Sequence, residues 1–303
     1  MSANCSESAR AAPAAWVRDA ARRMDAAGLV FGHGTACAHD EACWMLSQVL
    51  SLPPDFDDSQ LPARLSVEQL RALETLLGER IETRRPLAYL IGEAWFAGLR
   101  FAVDESTLVP RSPLAEVARD GLAPWLDFER PLSVLEIGTG SGCIAAALAH
   151  YWPKLSIEAT DISRSALDLA AGNLDALGLA GRVRLVESDV FDALTGRRFD
   201  LIISNPPYVP DASMQVLPAE YRHEPATALA AGEDGLAIFR RLLAGAPEHL
   251  KADGWLLVEL GEAAPAAEAL LGEVEHLWLE FEHGGDGVVL LDRAACEQCG
   301  KVL

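Results

Sequence analysis

The stretch Val134-Leu135-Glu136-Ile137-Gly138-Thr139-Gly140-Ser141-Gly142-Cys143 decides the fold. It carries an apolar run, Leu132–Ile137, into a G-x-G-x-G turn and then into the apolar segment Cys143–Tyr151. Strand, glycine turn and helix in that order open a βαβ unit. Glycines 138, 140 and 142 allow a tight turn and bring a ligand close to backbone and helix N-terminus. The dinucleotide fingerprint G-x-G-x-x-G/A has Cys143 at its last position here, so a nicotinamide or flavin fold is an imperfect match.

Outward from that turn, strands and helices alternate. Residues 155–160, 183–186, 200–204 and 255–260 read as strands, and 165–177, 236–249 and 265–271 as helices. Residues 277–282 and 287–291 read as a closing strand pair around HGGDG. Continuous apolar strands separated by helices predict an α/β, doubly wound, Rossmann-like sheet, mainly parallel, with its ligand at the carboxyl ends of the strands.

Upstream the pattern is helical: residues 16–29, 40–50 and 66–83, the last with Ser66 and Gln69 as a capping box. The Pro- and Asp-rich segment 52–65 reads as loop, and Ala94–Val103 as a β-hairpin around Gly98. Residues 114–126 return to helix. The division expected is a helical substrate-recognition domain over 1–85, a hairpin linker over 86–110, a main α/β domain over 111–293 and a frayed tail over 294–303.

The 303 residues carry 45 acidic and 25 basic side chains, a net charge of −20. The first 100 residues hold 13 acids and 10 bases, so almost all of the surplus lies beyond them. Non-specific nucleic-acid binding and polybasic membrane anchoring both need clustered Lys and Arg, and neither fits. A basic partner or a cationic ligand fits, as does plain solubility. No apolar run is long enough to span a membrane, and the first residues lack a basic start followed by an apolar stretch, so no secretory signal is read. Six cysteines are too few for a disulfide scaffold of this length, which points to a reducing cytoplasm.

Glu136, two residues before the first glycine, would repel a pyrophosphate but attract an ammonium or sulfonium. S-adenosylmethionine carries both cations and no phosphate. Asp161, with Ile162 after it, ends the second strand and can accept from both ribose hydroxyls. Asp189, with Val190 after it, can accept from an adenine amine while a nearby backbone N–H serves a ring nitrogen. Gly138, Thr139, Gly140 and Gly142 complete the predicted cofactor set, together with Asn205.

The fourth strand ends in Asn205-Pro206-Pro207-Tyr208. Two prolines fix φ twice and hold Asn205 extended, which makes a rigid corner. An amide or aromatic –NH₂ is a poor nucleophile because its lone pair is delocalised. Two acceptors that take both N–H hydrogens aim that lone pair at a methyl group. The Asn205 side-chain carbonyl and the Pro206 backbone carbonyl are the candidate pair, with Tyr208 as a ring to stack on the planar group. Positioning would carry most of the rate.

With these residues in place, the chain resembles the amide-nitrogen glutamine methyltransferases of translation proteins. It is most similar to the branch acting on the large-subunit ribosomal protein L-three. The resemblance runs through Phe31–Thr35 (FGHGT), Leu108–Glu116 (LVPRSPLAE), Glu220–Pro225 (EYRHEP), Asp234-Gly235-Leu236 and Leu279–Val288 (LEFEHGGDGV). The sister branch acting on peptide-chain release factors shares the glycine loop and the N-P-P-Y corner. It has a Thr-Glu pair after the Pro-Arg where this chain has Ser112-Pro113, with its Glu at 116. The resemblance implies a helical N-terminal domain, a hairpin and a seven-stranded class I methyltransferase domain, with the roles above for Gly138, Gly140, Asp161, Asp189 and Asn205. It does not cover Cys296-x-x-Cys299, a lone pair read as part of the frayed tail rather than as a zinc or redox site.

His33 reads as a loop histidine and Cys143 as a packing residue. Arg222 and His223 line a substrate groove or cap a loop, and Arg111 contacts the cofactor region or pairs with Glu116. The expected activity is methyl transfer to a glutamine amide of a basic ribosomal protein, with no direct nucleic-acid binding and no metal. Transfer to a release factor is the alternative. Transfer to an adenine amine of DNA or RNA is a further one, disfavoured by charge because it needs a basic groove and a flipped base. A non-catalytic assembly factor would have no need of Glu136, Asp161 and Asn205 together.

Overall fold

The computed structural model describes residues 12–53, 55–282, 284, 285 and 287–300. The reading of the first residues as lacking a secretory signal lies outside them. Two compact units result: residues 1–93 with 218–223, and residues 94–217 with 224–303.

The first unit is built on helices α1 (Pro13–Ala26), α2 (Ala38–Leu50) and α3 (Val67–Thr83), followed by the short α4 (Leu87–Ile91). Trp16, Met24, Met45, Leu73 and Leu77 fill its core. Ser66 caps α3, and the reciprocal bonds with Gln69 form the capping box its sequence spells. The segment Pro218–His223, far along the chain, folds with these helices. The Glu220 carboxylate takes the Val30 N–H at 3.1 Å, and the Tyr221 ring lies 4.4 Å from that of His33, a buried loop histidine. His223 bonds the Thr83 carbonyl at 3.1 Å, so it caps the end of a helix. Gly32 and His33 of FGHGT and Tyr221 of EYRHEP, far apart in sequence, are two sides of one contact.

The second unit holds a seven-stranded sheet. Its strands are β3 (Ser133–Ile137), β4 (Ser156–Asp161), β5 (Val183–Glu187), β6 (Phe199–Ser204), β7 (Leu250–Glu259), β8 (Leu277–Leu279) and β9 (Val288–Asp292). Their order is β5-β4-β3-β6-β7-β9-β8, with β9 antiparallel to both neighbours and the other pairs parallel. The chain reverses direction of travel between β3 and β6, which opens a crevice at their carboxyl ends. Helices α5 (Leu114–Asp120), α6 (Cys143–Tyr151), α7 (Arg164–Ala176), α8 (Asp211–Val216), α9 (Ala237–His249) and α10 (Ala264–Leu271) complete the connections. Helix α5 stops earlier than its sequence predicts, because Gly121 takes φ +89°.

Two expectations change here. The hairpin β1 (Glu93–Phe96) and β2 (Leu99–Ala102) is not a free linker, since Phe96 and Phe101 are buried in the core beside α5 and α6. Nor is the chain end frayed as far as Cys299. Asp292 accepts the Ala295 N–H at 2.7 Å and caps a helix, α11 (Arg293–Cys299). Spacing of three places Cys296 and Cys299 on one face, buried with Ala295 among the side chains of α9 and β7. Burial pushes both thiols up, so they pack as small hydrophobes.

Candidate functional site

Sheet register builds the site. Thr160, Ile137, Ser204 and Val258 stand in one row across β4, β3, β6 and β7. Asp161, Gly138, Asn205 and Glu259 are the next residues along the chain after that row, at the carboxyl ends of the four strands. Residues from four separate sequence segments thus meet without any long side chain having to reach.

The glycine turn is held from several directions. Gly138, Gly140 and Gly142 all have positive φ (+75°, +54° and +80°), which disfavours any other residue. The N–H groups of Gly138 and Thr139 donate to the Thr160 carbonyl at 2.8 and 2.9 Å, and that of Gly140 donates to Asp161 Oδ2 at 2.9 Å. Buried Asn173 on α7 donates to the carbonyls of Ser141 (2.9 Å) and Ala102 (3.0 Å), tying the turn to β2. A Cβ on Gly138 would meet nothing within 4 Å, so backbone there faces open space; one on Gly142 would lie 3.0 Å from the Ala170 Cβ. Gly142 therefore serves helix packing.

Glu136 is 1% exposed. Its Oε2 accepts from the Thr139 hydroxyl (2.7 Å) and the Ala145 N–H (2.9 Å), stapling the turn to α6. Its Oε1 has no partner among the described residues. Burial, with some help from the Asp161 charge, pushes this carboxyl up to about 8. The site thus holds an acid that lacks the positive charge to keep it ionised. Asp161 is also raised by burial, and its two oxygens take the N–H groups of Ser163 and Gly140.

A cavity of about 410 Å³ joins these groups. Glu136, Gly138, Thr139, Gly140, Asp161, Ile162, Asp189, Val190, Asn205, Pro206 and Pro207 all line it. Ile162 is 62% exposed, a large apolar side chain left open at the rim. Val190 takes φ +52°, and the Ser188 hydroxyl fixes this turn by donating to the Val190 carbonyl at 3.0 Å. Asp189 Oδ1 pairs with Arg241 Nη1 at 2.7 Å, so that acid already has a cation. The Asn205 side chain makes no hydrogen bond among the described residues, which leaves its amide free to serve a ligand.

Gly142 and Tyr208 do not line the cavity. The Tyr208 ring packs against Gly261 and the apolar cluster beyond it, and its hydroxyl donates to Glu259 Oε1 at 3.5 Å. The ring expected to stack on a held planar group is thus packed against Gly261, outside the residues that line the cavity. Arg111 lines the cavity and makes a bidentate pair with buried Glu224, its Nη2 reaching Oε2 at 2.6 Å, a partner its sequence neighbourhood does not suggest. Cys143 is buried and its thiol is pushed up to about 12.

Sequence reading passed over Asn173, Ser204, Arg241, Glu224 and Glu259. Only Glu259 carries a usable signal, since it ends an apolar strand just as Asp161 does.

A seven-stranded doubly wound sheet with one antiparallel strand, a glycine turn followed by strand-end acids and an Asn-Pro-Pro-Tyr corner define a class I methyltransferase. The family model for the methyltransferase small domain matches residues 120–220. The ribosomal protein uL3 glutamine methyltransferase of Bordetella pertussis is 45% identical over 281 residues, covering 91% of this chain and 93% of that protein. The enzyme of that name from Xylella fastidiosa strain 9a5c is 45% identical over 276 residues (91% and 88%), and that from Francisella tularensis is 38% identical over 277 (91% and 88%). The chain belongs to the ribosomal protein uL3 glutamine methyltransferase family. Among solved structures, the hMettl16 catalytic domain in complex with MAT2A 3′UTR hairpin 6 matches 82% of this chain and 91% of that one, with TM-score 0.50 and 20% identity, a likeness of fold alone.

Proposed function

We propose that this protein transfers the methyl group of S-adenosylmethionine to the side-chain amide nitrogen of a glutamine in ribosomal protein uL3. The observation that carries the reading is that Gly138 and Asn205, the residues after the paired Ile137 and Ser204, line a single cavity. The cavity's donors suit the cofactor. The unpartnered Glu136 Oε1 offers an acceptor to an ammonium, Asp161 to ribose hydroxyls, and Ile162 an apolar face to a purine. When bound, S-adenosylmethionine supplies an electrophilic methyl group on a sulfonium.

The chain's own part is to hold the nucleophile. The Asn205 side-chain carbonyl and the Pro206 carbonyl accept the two N–H bonds of the glutamine amide, and the prolines keep both oxygens in place. Asp189 accepts from the adenine amine while sharing Arg241. The names of the relatives support uL3 over the release factors, and a cytoplasmic location accords with that substrate. No described helix is long and apolar enough to cross a membrane.

The test is incubation of the purified chain and labelled S-adenosylmethionine with free uL3, a release factor or duplex DNA. Label on a glutamine of uL3 is expected. Label in DNA and none in either protein would overturn the reading.

A further inference from the structure

The Asn-Pro-Pro-Tyr corner has two ends, and the structure shows what holds each. Asn205 leaves the sheet beside Gly138, with Ser204 fixed by a 2.7 Å bond from its hydroxyl to the Ile137 carbonyl. Tyr208 is held by residues to which no role has so far been given.

Three glycines surround it. A Cβ on Gly235 would lie 2.4 Å from the Tyr208 carbonyl oxygen, a backbone atom that cannot move aside cheaply. A Cβ on Gly261 would lie 2.6 and 2.7 Å from the Tyr208 ring. A Cβ on Gly287 would lie 2.7 Å from the Gly261 carbonyl oxygen and 2.8 Å from its nitrogen, so Gly287 sets how closely Gly261 can sit. All three have positive φ, between +44° and +81°. Fully packed interiors have no slack for an added methyl group of this kind.

A carboxylate completes the socket. Glu259 follows Val258, the register partner of Ser204, at the end of β7. It is buried, accepts from the Tyr208 hydroxyl on Oε1 and from the Ser112 hydroxyl on Oε2. Ser112 in turn accepts the Leu114 N–H at 3.1 Å, and Arg111, beside it, is held by Glu224. The segment LVPRSPLAE and the corner are thus joined through one carboxylate.

We propose that Glu259 and the glycine socket of Gly235, Gly261 and Gly287 are positioning elements of the methyl-transfer site: they lock Tyr208 so that the Asn205 and Pro206 carbonyl oxygens stay fixed on the amide being methylated. The inference rests on the function proposed above for that corner. Acceptors that aim a lone pair must be held tightly, since a displacement near 1 Å costs about a hundredfold in rate. Glu259 touches neither substrate nor cofactor in this account; it acts through Tyr208.

The experiment is a double-mutant cycle in the full chain with Glu259→Gln, Tyr208→Phe and both together, measured with free uL3 and S-adenosylmethionine. Each single change removes or weakens the same bond without changing shape. We expect each to lower kcat about tenfold, to leave KM for S-adenosylmethionine within about twofold, and the double variant to be no slower than the slower single one. Effects that multiply, or singles at the wild-type kcat, would overturn the proposal. Gly261→Ala keeps both polar groups but pushes the ring away, and should lower kcat at least as far; where it does not fold, the isosteric cycle decides. The same cycle read from urea unfolding midpoints needs no substrate: non-additive midpoints support the socket and additive ones overturn it. A wild-type chain that leaves uL3 unlabelled would sink the substrate reading alone.

Discussion

The Ser204 hydroxyl donates to the Ile137 carbonyl across the point where the sheet reverses its order of travel, at 2.7 Å and out of reach of solvent. The residue after each partner is functional in the reading above: Asn205 after one, Gly138 after the other. That bond therefore reinforces the β3–β6 ladder at its last pair, where the acceptor corner and the cofactor turn leave the sheet. Ser204→Ala should lower stability by about 1–3 kcal/mol, because a buried carbonyl loses its donor. Transfer should fall by more than stability alone explains. Urea unfolding and kcat at a temperature where the variant is fully folded separate the two, and an unchanged kcat would count against that role.

Asn205→Ala should abolish transfer while leaving cofactor binding nearly intact. Its amide has no structural partner among the described residues, so removing it breaks nothing in the fold. Calorimetric titration with S-adenosylhomocysteine and a labelling assay check both halves. A variant that still methylates near the normal rate would remove the corner from the mechanism.

Glu136 sets stability against binding. Its carboxyl stands near 8 in the folded chain and at 4.5 when exposed, so the folded state binds the proton more tightly. Its contribution to stability is complete below pH 4.5 and is lost as pH rises toward 8. Glu136→Gln removes that loss. The cofactor-free variant should melt above the wild type at pH 8.5 and with it near pH 5. At the same time the amide places an –NH₂ where one carboxylate oxygen has no partner among the described residues. Affinity for S-adenosylmethionine should drop about 10- to 100-fold, the worth of a charge-assisted hydrogen bond. Melting curves across pH and a binding titration test the pair, and equal melting points at pH 8.5 would contradict the burial argument.

Much of this was legible in the sequence, for a definite reason. β3, the glycine turn and α6 are local: apolar strand, positive-φ glycines and apolar helix follow one another directly. Strand-end acids are legible too, because a parallel sheet brings strand ends together whatever the connections do. What sequence could not give are contacts whose partners lie on different elements. Arg241 meets Asp189 from a helix 52 residues on, and Glu224 meets Arg111 across 113. The packing of the Tyr208 ring is equally hidden, because the glycine it lies against, Gly261, is 53 positions further along the chain. The C-terminal helix was missed because its cap, Asp292, and two cysteines lie where the family pattern ends.

Within the helical unit, Arg80 is fully buried. Its Nε bonds Glu41 Oε1 at 2.7 Å, its Nη2 bonds the Val30 carbonyl at 3.1 Å, and Nη1 lies 3.7 Å from Glu220. One guanidinium thus secures the FGHGT turn and the segment Pro218–His223 together. Arg80→Met should cost this unit about 3–5 kcal/mol, since buried Glu41 loses its counter-charge while Glu220 keeps Arg84, at 3.3 Å. Adding Glu41→Met should restore part of the loss. Chemical unfolding followed by helix signal tests this, and a single variant of wild-type stability would show that the pair is dispensable.

Charge gives the last prediction. After residue 200 the chain has 17 acids and 6 bases, and only a few acids of the whole chain (Glu136, Asp161, Asp189) belong to the cavity. The remainder is a negative field on the unit that carries the reaction. A ribosomal protein made to bind RNA is strongly basic, so the field would speed its encounter with the enzyme before rRNA covers it. Long-range attraction of this kind is screened beyond about 10 Å at 0.1 M salt. kcat/KM for uL3 should therefore fall steeply as salt rises from 0.05 to about 0.3 M, while kcat at saturating uL3 changes little. Affinity for S-adenosylmethionine, bound inside the cavity, should change far less. A kcat/KM for uL3 that ignores salt would return the surplus acids to the ordinary task of keeping the chain soluble.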